Sequence, residues 1–391
     1  MRASVRGVAE KLALGAALAS IGYAAFALQR LRVFERCERG MPPRATDTAC
    51  PSVTIFKPAH GDDPCLEQNL ASFCEQDYPD FDVVFGALDP ADPALAVMRR
   101  VAALFPARAT VVSGDGVARH RNPKMSTLDP MIASPRGEIV VIADSDMRVT
   151  PGYLAAVVAP FADPQTGAVT CVFRGEPSDG RLASALAAMG ISEQFMPSTL
   201  VANAVEPMTY CFGSTMAVRR EVLQEIGGIG ALGDRLADDH ALGSLVVAHG
   251  YCVELARYVV TNIVSEPGLR QLVEHELRWM RTIRGVRFAS YTGVILTYPL
   301  PLALLHLAVA RTRMPALALV VVAAALRLAL HARAHRTFRT SRRPSPWLIP
   351  LRDALGVTIW ALGLFGGRVR WRGIEYRMSG RGQLAENGTG R

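Results

Sequence analysis

Asp144 and Asp146, two aspartates separated by one residue, are the side chains of this sequence best suited to chemistry. They follow the apolar run 139–143, whose length and β-branched residues predict a strand buried on both faces of a parallel sheet. Open α/β sheets bind ligands at the carboxyl ends of their strands, and an Asp-x-Asp pair there can hold a hard divalent cation that takes further ligands from phosphate oxygens. The alternative is an Asp-rich turn with solvated side chains.

Two further acids follow another predicted strand. Asp89 ends the predicted strand 82–89, and Asp92 lies just after it. If the strands are parallel, their carboxyl ends lie on one edge of the sheet, so Asp89, Asp144 and Asp146 are expected to converge there. Each aspartate taken alone is equally compatible with an ordinary turn.

A third acidic site is the pair Asp238 and Asp239, within the predicted helix 235–249. Adjacent helical residues point about 100° apart, so the two carboxylates are not expected to face one cleft. We therefore expect one to be catalytic and the other solvated. An amphipathic helix with a wet polar face would also explain both.

A different group of side chains lies at positions i, i+3 and i+4 of the predicted amphipathic helix 270–284. His275, Arg278 and Trp279 share one face of that helix. A titratable ring, a cation and a flat aromatic suit a diphosphate leaving group and a lipid or sugar face. The alternative is a basic interfacial helix with Trp279 as its membrane anchor.

The segment 53–262 alternates predicted strands and helices, the pattern of an α/β fold. The predicted strands are 53–58, 82–89, 110–112, 139–143, 168–173 and 212–218. The predicted helices are 63–74, 93–104, one after 122–124, 151–161, one within 181–204, and 235–249. The sequence contains no Walker lysine loop, so no P-loop site is predicted.

Apolar segments flank this α/β region on both sides. Residues 12–28 carry no charge and are followed by arginines, which predicts an uncleaved anchor with its carboxyl side in the cytoplasm rather than a signal peptide. Residues 291–310, 314–330 and 347–367 are further predicted membrane segments, and prolines should bend the first of them. Four complete spans would place the basic tail outside, so one carboxyl-terminal segment is expected to be re-entrant or interfacial.

The composition agrees with this division. Half of the residues are apolar, the mean hydropathy is +0.19 and the net charge is +8. The seven cysteines show no Cys-x-x-Cys or Cys/His ligand spacing, which argues against a disulfide framework and a zinc site and indicates a reduced, cytosolic domain. Lysines and arginines cluster beside apolar segments, a pattern that favours an anionic lipid surface over nucleic acid as partner.

Short stretches spread along the chain carry a resemblance to a known family. They are KPAHG (57–61), QDYP (76–79), DPADP (89–93), NPK (122–124), ADSDMRV (143–149), ADD (237–239), RW (278–279), and WRG (371–373) with YR (376–377). In order and spacing they resemble the membrane-bound ceramide glucosyltransferases. The stretches HELRW (275–279), RTIR (281–284) and TYPLPL (297–302) resemble more closely the hopanoid-biosynthesis glycosyltransferases of bacteria.

This resemblance implies a GT-A nucleotide-diphospho-sugar transferase domain that faces the cytoplasm, with one amino-terminal transmembrane helix and carboxyl-terminal transmembrane or interfacial helices. It also implies that Asp89 contacts the uridine and that Asp239 is the base. Related enzymes place Gln or Arg where this chain has His275. The site residues implied are Lys57, Asp89, Asp92, Lys124 and Asp144 for the donor, Asp144 and Asp146 for Mg²⁺ or Mn²⁺, and Asp239, His275, Arg278 and Trp279 for catalysis.

The expected function is inverting transfer of a sugar from a UDP donor to a hydroxyl of a membrane lipid. The resemblance favours N-acetylglucosamine as the sugar, bacteriohopanetetrol as the acceptor and the bacterial inner membrane as the location. Ceramide glucosylation from UDP-glucose is the enzymatic alternative, and a catalytically silent membrane scaffold is the other. The predicted divisions are an anchor (1–40), a linker (41–52), the catalytic domain (53–269), an interfacial helix (270–290), membrane segments (291–367) and a basic tail (368–391).

Overall fold

The computed structural model describes residues 2–39, 50–63, 65–132, 136–371, 374–378 and 384–386. Most of the predicted linker, two residues of the WRG stretch and half of the predicted tail lie outside the described residues.

A long helix, α1 (Arg2–Arg39), precedes the α/β domain. The first half of that domain consists of β1 (Val53–Pro58), α2 (Leu66–Cys74), β2 (Phe81–Ala87), α3 (Ala94–Leu104), β3 (Ala109–Ser113), α4 (Pro123–Met131) and β4 (Ile139–Ile142). The second half consists of β5 (Met147–Arg148), α5 (Tyr153–Val158), β6 (Thr166–Pro177), α6 (Leu182–Gly190), a π turn (Ile191–Phe195), α7 (Met196–Val205), β7 (Met216–Arg219), α8 (Arg220–Glu225), α9 (Asp238–Ala248) and β8 (Cys252–Val264).

The carboxyl-terminal part is mainly helical. It consists of α10 (Leu269–Val286), α11 (Phe288–Gly293), α12 (Pro299–Val309), α13 (Arg313–Thr337) and α14 (Ile349–Gly363), followed by a three-stranded sheet of β9 (Arg368–Trp371), β10 (Ile374–Met378) and β11 (Leu384–Glu386).

The main sheet has eight strands in the order β3-β2-β1-β4-β7-β6-β8-β5. β1 pairs in parallel with both β2 and β4, so the carboxyl ends of these three strands lie on one edge, as predicted. The expectation of a parallel sheet is wrong beyond β4, because β7 runs antiparallel to both β4 and β6. Strands β5 and β8 were not predicted: β5 has two residues, and β8 mixes exposed and buried positions and contains the charged residues Glu254 and Arg257.

Strand β4 is buried as its composition predicts. All four residues of β4 and all six of β1 are buried, which is typical of strands covered on both faces. The predicted strand 212–218 begins later in the structure. The regular strand starts at Met216, and Phe212 and Thr215 form an isolated bridge just before it. That irregular segment lies beside the end of β4, where it contributes to the candidate site.

Within the described part of the chain, two helices are long and apolar enough to cross a membrane, Arg6–Arg36 within α1 and Arg313–Thr337. The same residues provide a third crossing if Phe288–Thr297 and Pro299–Val309 act together, and these two segments are bent by 75°. The bend occurs where prolines were expected to cause it. Helix α14 has 15 residues, fewer than the roughly 20 that a crossing requires. Helices α1, α12 and α13 pack against one another, and α1 also contacts α7 of the domain.

Candidate active site

The end of β4 places two carboxylates above a buried lysine. Lys57, on β1, is fully buried; its Nζ donates a hydrogen bond to the backbone carbonyl of Asp144 and lies 3.8 Å from the centre of the Phe73 ring. Burial lowers the pKa of Lys57 to about 7, although the charges of Asp146 and Asp144 act in the opposite direction. Lys57 therefore supports the backbone of the Asp-x-Asp turn from below.

A second lysine bridges two of the acidic stretches. Lys124, at the start of α4, has its Nζ 2.7 Å from Oδ1 of Asp144 and 3.1 Å from Oδ2 of Asp238. Burial alone would lower the pKa of Lys124, but the carboxylates of Asp144 and Asp238 outweigh it and raise that pKa. Asn122 caps α4 through Lys124 N, and its side-chain amide also donates to Asp238 Oδ1 at 3.3 Å.

This arrangement corrects the expectation that one of Asp238 and Asp239 is solvated. Asp238 is buried and bonded to Lys124 and Asn122, while Asp239 faces the segment that leads into β7. Both residues stand in the first turn of α9, where the side chains can turn back past the helix end. The 100° rule for helix interiors therefore did not separate them.

Asp239 is connected to Asp144 through one glycine. The Gly213 amide donates to Asp239 Oδ2 at 3.1 Å, and the Gly213 carbonyl accepts from the Asp144 amide at 3.0 Å. A Cβ at position 213 would lie 2.3 Å from Asp144 Oδ2, so any other residue would displace this carboxylate or the backbone at position 213. Burial, and then the charge of Asp238, raise the pKa of Asp239 to about 7, which suits a general base near neutral pH.

Asp146 is the carboxylate best suited to a metal ion. Its Oδ2 accepts from the Asn262 side chain at 2.8 Å, whereas its Oδ1 is buried with no hydrogen-bond partner among the described residues. Burial, and then the charge of Asp144, raise the pKa of Asp146 to about 6. A bound cation would satisfy the unpaired oxygen and relieve this repulsion.

The net charge of the site also favours a divalent cation. Four carboxylates, Asp144, Asp146, Asp238 and Asp239, surround the two ammonium groups of Lys57 and Lys124. The excess of two negative charges matches one divalent cation. Oδ1 of Asp144 is already held by Lys124, so Asp146 has the freer oxygen for direct coordination.

The two acids after β2 have different surroundings. Asp89 is exposed, and its Oδ1 accepts from the Ala91 amide at 2.8 Å. Asp92 is buried, and both of its oxygens are engaged: Oδ2 by His60 Nδ1 at 2.6 Å and Oδ1 by the amides of Gly61 and Ala94 at 2.9 Å. Asp92 thus fixes the loop after β1 and the start of α3, while the side chain of Asp89 is open to solvent.

Helix α10 brings the aromatic and basic group to the same edge of the sheet. His275 and Trp279 line a cavity of about 220 Å³ together with Asp146, Asn262 and Glu266.

Two contacts orient the side chains of this helix. His275 Nδ1 lies 2.8 Å from Glu266 Oε1, and Trp279 stacks on Phe195 with ring centres 6.1 Å apart. Burial lowers the pKa of Arg278, while the charges of Asp144 and Glu266 act to raise it. Trp279 is therefore packed against the domain.

Several contributors were not singled out by the sequence. Gly213 and Asn262 belong to no motif, and Asp238 was expected to be the solvated member of its pair, with Asp239 as the base. Asn122 was part of a matching stretch without an assigned role. Only Asn122 carried a local signal, since Asn before Pro-Lys is typical of a helix N-cap.

Comparison with solved structures supports the fold. The protein is similar to a mannosyltransferase from Pyrobaculum calidifontis solved with GDP-Man and Mn²⁺, with a TM-score of 0.55 and 24% identity over 91% of this chain and 99% of that one. The described part of the chain therefore has a GT-A glycosyltransferase fold.

Curated relatives are similar over part of their length. Ceramide glucosyltransferases 3 and 1 of Caenorhabditis elegans are 22% and 25% identical over 255 residues, which cover 65% of this chain and 54% and 53% of theirs. A beta-monoglucosyldiacylglycerol synthase of Synechocystis is 24% identical over 212 residues, 52% of this chain and 43% of that protein. The chain thus spans about half the length of the curated relatives it matches.

The family itself is established by a match that runs through both the domain and the flanking helices. The description of that family is Glycosyl transferase family 21, and the matched residues are 12–384. This range includes the Asp-x-Asp turn, the Asp238–Asp239 pair and helix α10. The chain therefore belongs to glycosyl transferase family 21.

Proposed function

We propose that this protein is an inverting glycosyltransferase that moves a sugar from a UDP donor to a hydroxyl of a membrane lipid. The observation that carries the proposal is the meeting of Asp146, Asp239 and helix α10 at one edge of the sheet. This edge combines an acid with a free oxygen for a cation, a carboxylate with a pKa near 7, and a cation and an aromatic ring beside them.

The proposed division of labour follows from these positions. Asp146, with Asp144 beside it, would hold a divalent cation. That ion would supply Lewis-acid stabilisation of the diphosphate leaving group. Arg278, which feels the charge of Asp144, would add a positive charge near the same group.

Asp239 would take the proton of the acceptor hydroxyl as the acceptor oxygen attacks the anomeric carbon of the donor sugar. A hydroxyl is a weak nucleophile, and a positioned base contributes on the order of 10² to 10⁴ in rate. The bonds from Gly213 and from the His240 amide, at 3.1 and 2.7 Å, hold this carboxylate in place. In this proposal Asp89 binds the uridine, and the anchor and the carboxyl-terminal helices keep the site at a cytoplasmic membrane surface.

For the acceptor we propose a hopanoid, bacteriohopanetetrol, and for the donor UDP-N-acetylglucosamine. The support is the resemblance of the stretches 275–284 and 297–302 to the hopanoid branch of these enzymes. Ceramide with UDP-glucose is the second candidate, and it is favoured by the names of the curated relatives.

The test is sugar transfer by the purified full-length protein in detergent, with each donor offered to each acceptor, with and without EDTA. Asp239→Asn should reduce turnover on the order of 10² to 10⁴-fold while UDP binding persists. Asp234→Asn is the matched control, since Asp234 is exposed and lies a few residues before the pair. Metal-dependent transfer to ceramide alone would reject the hopanoid assignment, and UDP binding without turnover in any pairing would favour the scaffold alternative.

A further inference from the structure

A buried polar cluster lies where α13 packs against the π turn, separate from the acids of the candidate active site. Oε1 of Glu193 is 2.9 Å from Nδ1 of His331 and 2.9 Å from Nε2 of His335. The other carboxylate oxygen, Oε2, is 2.7 Å from Nη1 of Arg327. All four side chains are at most 6% exposed.

We propose that Glu193, His331 and His335, with a water molecule as the fourth ligand, form a second metal site for a divalent transition ion, with zinc as the best chemical match. The three ligand atoms lie within 4.8 Å of one another. The two histidines are four residues apart, so they project from one face of α13. Two imidazole nitrogens and one carboxylate oxygen are a common zinc ligand set, whereas Mg²⁺ and Ca²⁺ favour oxygen ligands.

The spacing of the ligand atoms suits such an ion. Ligand bonds of 2.0–2.1 Å in a tetrahedral site place the ligand atoms about 3.3 Å apart. The two nitrogen–oxygen distances of 2.9 Å would have to lengthen by a few tenths of an ångström to admit the ion. The two imidazole nitrogens lie at most 4.8 Å from each other, so the three ligand atoms are already grouped around one point.

The contacts behind the ligands are those that orient ligands in metal sites. His335 Nδ1 lies 2.7 Å from Thr340 Oγ1, which leaves Nε2 directed at Glu193. Arg327 fixes the second carboxylate oxygen, and its own charge is balanced by Asp353, whose oxygens are 3.0 and 3.1 Å from Arg327 Nε. Arg327 thus acts as an outer contact of the carboxylate.

The charges of the wider network leave room for one more cation. From Asp353 the hydrogen bonds continue through Gln194 to Arg352, which forms two bonds of 2.7 and 2.8 Å with Glu276 of α10. This hydrogen-bond network contains the three carboxylates of Glu193, Asp353 and Glu276 and the two guanidinium groups of Arg327 and Arg352. One negative charge, at Glu193, therefore needs a partner. A buried carboxylate requires such compensation. A metal ion would provide it and use both imidazoles at once.

Such a site would tie a membrane helix to the catalytic domain. Glu193 comes from the π turn and both histidines from α13, and π turns often occur at functional positions in helices. Phe195 of the same turn stacks on Trp279. The ion would therefore hold the turn that supports one wall of the cavity beside Asp146. The cysteine spacing gave no hint of it, because the ligands are distant in sequence and contain no thiol.

The experiment measures bound metal in the full-length protein, purified in detergent from zinc-supplemented cells and passed through metal-free buffer. Mass spectrometry should find about one zinc per chain in the wild type and less than about a tenth of that in His331→Asn and His335→Asn. Asp146→Asn, which alters the strand-end site, should keep its zinc. His306→Gln should also keep it, and it is the matched control because His306 is a buried imidazole of the neighbouring helix α12.

A second measurement covers the case in which the histidine variants do not fold. Wild-type protein from cobalt-supplemented cells should show the visible absorption bands of tetrahedral Co²⁺, and zinc should remove them. Wild-type protein without stoichiometric metal and without these bands would overturn the proposal. The balancing charge would then be a proton shared by the two imidazoles. Equal zinc content in the wild type and in a folded His335→Asn variant would overturn it as well.

Discussion

Replacement of Gly213 by alanine should disable the site through a single methyl group. The added Cβ would lie 2.3 Å from Asp144 Oδ2, whereas a carbon and an oxygen in contact are usually about 3.3 Å apart. One of the two groups must therefore move by about 1 Å. The Asp144 carboxylate cannot swing aside freely, because its other oxygen is bonded to Lys124 at 2.7 Å.

Movement of the backbone at position 213 has its own consequence. The Gly213 amide and carbonyl hold Asp239 and Asp144 at 3.1 and 3.0 Å, so a shift would displace the proposed base and the proposed metal ligand together. A misplacement of about 1 Å in a catalytic group can reduce the rate about 100-fold. We expect Gly213→Ala to lower kcat by about that factor, with an overpacking cost of about 1–3 kcal/mol in the free energy of unfolding.

The assay compares kcat, the Mn²⁺ dependence of turnover and thermal unfolding for Gly213→Ala and Gly230→Ala. Gly230 is a suitable control because a Cβ there meets no atom within 4 Å. The control should keep wild-type turnover. A Gly213→Ala protein with kcat within twofold of the wild type would refute the tight coupling of Asp144 and Asp239 through this glycine.

Three further predictions concern the same site. Burial raises the pKa of Asp239 to about 7, and a general base must be ionised to act. We therefore expect kcat/KM to increase with pH through about 7 and to be about 100-fold lower at pH 5 than on the alkaline plateau. A pH–rate profile that is flat down to pH 5 would contradict this. Lys124→Met removes a positive charge that lowers the pKa of Asp239, so the rise of kcat/KM should move to higher pH and thermal unfolding should occur at lower temperature. An unchanged pH profile in this variant would exclude electrostatic coupling between Lys124 and Asp239. Asp146→Asn should weaken Mn²⁺ binding by at least about 10-fold in calorimetry, because it alters the carboxylate with the unpaired oxygen. Asp92→Asn should lower stability and leave Mn²⁺ affinity unchanged, since both oxygens of Asp92 are engaged by His60, Gly61 and Ala94. Equal Mn²⁺ affinity in Asp146→Asn and the wild type would move the metal site elsewhere.

The elements of the sheet edge were predictable because their signals are local. The run before Asp144 is apolar and β-branched, and its burial on both faces follows from that composition. β1 has the predicted bounds, and β2, α3 and β4 lie within a few residues of theirs. The 20-residue apolar segment with prolines was predicted to bend, and the structure has a 75° angle there.

Other features depended on contacts between distant residues. β8 contains polar and charged residues because one side of it is partly exposed, so its sequence lacks a clear alternation. The antiparallel β7 follows an irregular segment, residues 212–215, which was predicted as part of a regular strand. The predicted membrane segment 347–367 is shortened in the structure to α14, whose Arg352 and Asp353 are buried against Glu276 and Arg327 instead of facing an interface.

The sequence by itself determined the type of protein: an α/β domain between apolar helices, with acids at strand ends and a basic aromatic helix after them. Those properties follow from periodicity, composition and short motifs, which act over a few residues. Only the tertiary structure decided that Lys124 joins Asp144 to Asp238, that Gly213 links Asp144 to Asp239, and that Glu193 meets two histidines of α13. Each of these contacts joins segments far apart in the chain, and its energy depends on burial and charge compensation that arise only when the segments pack together.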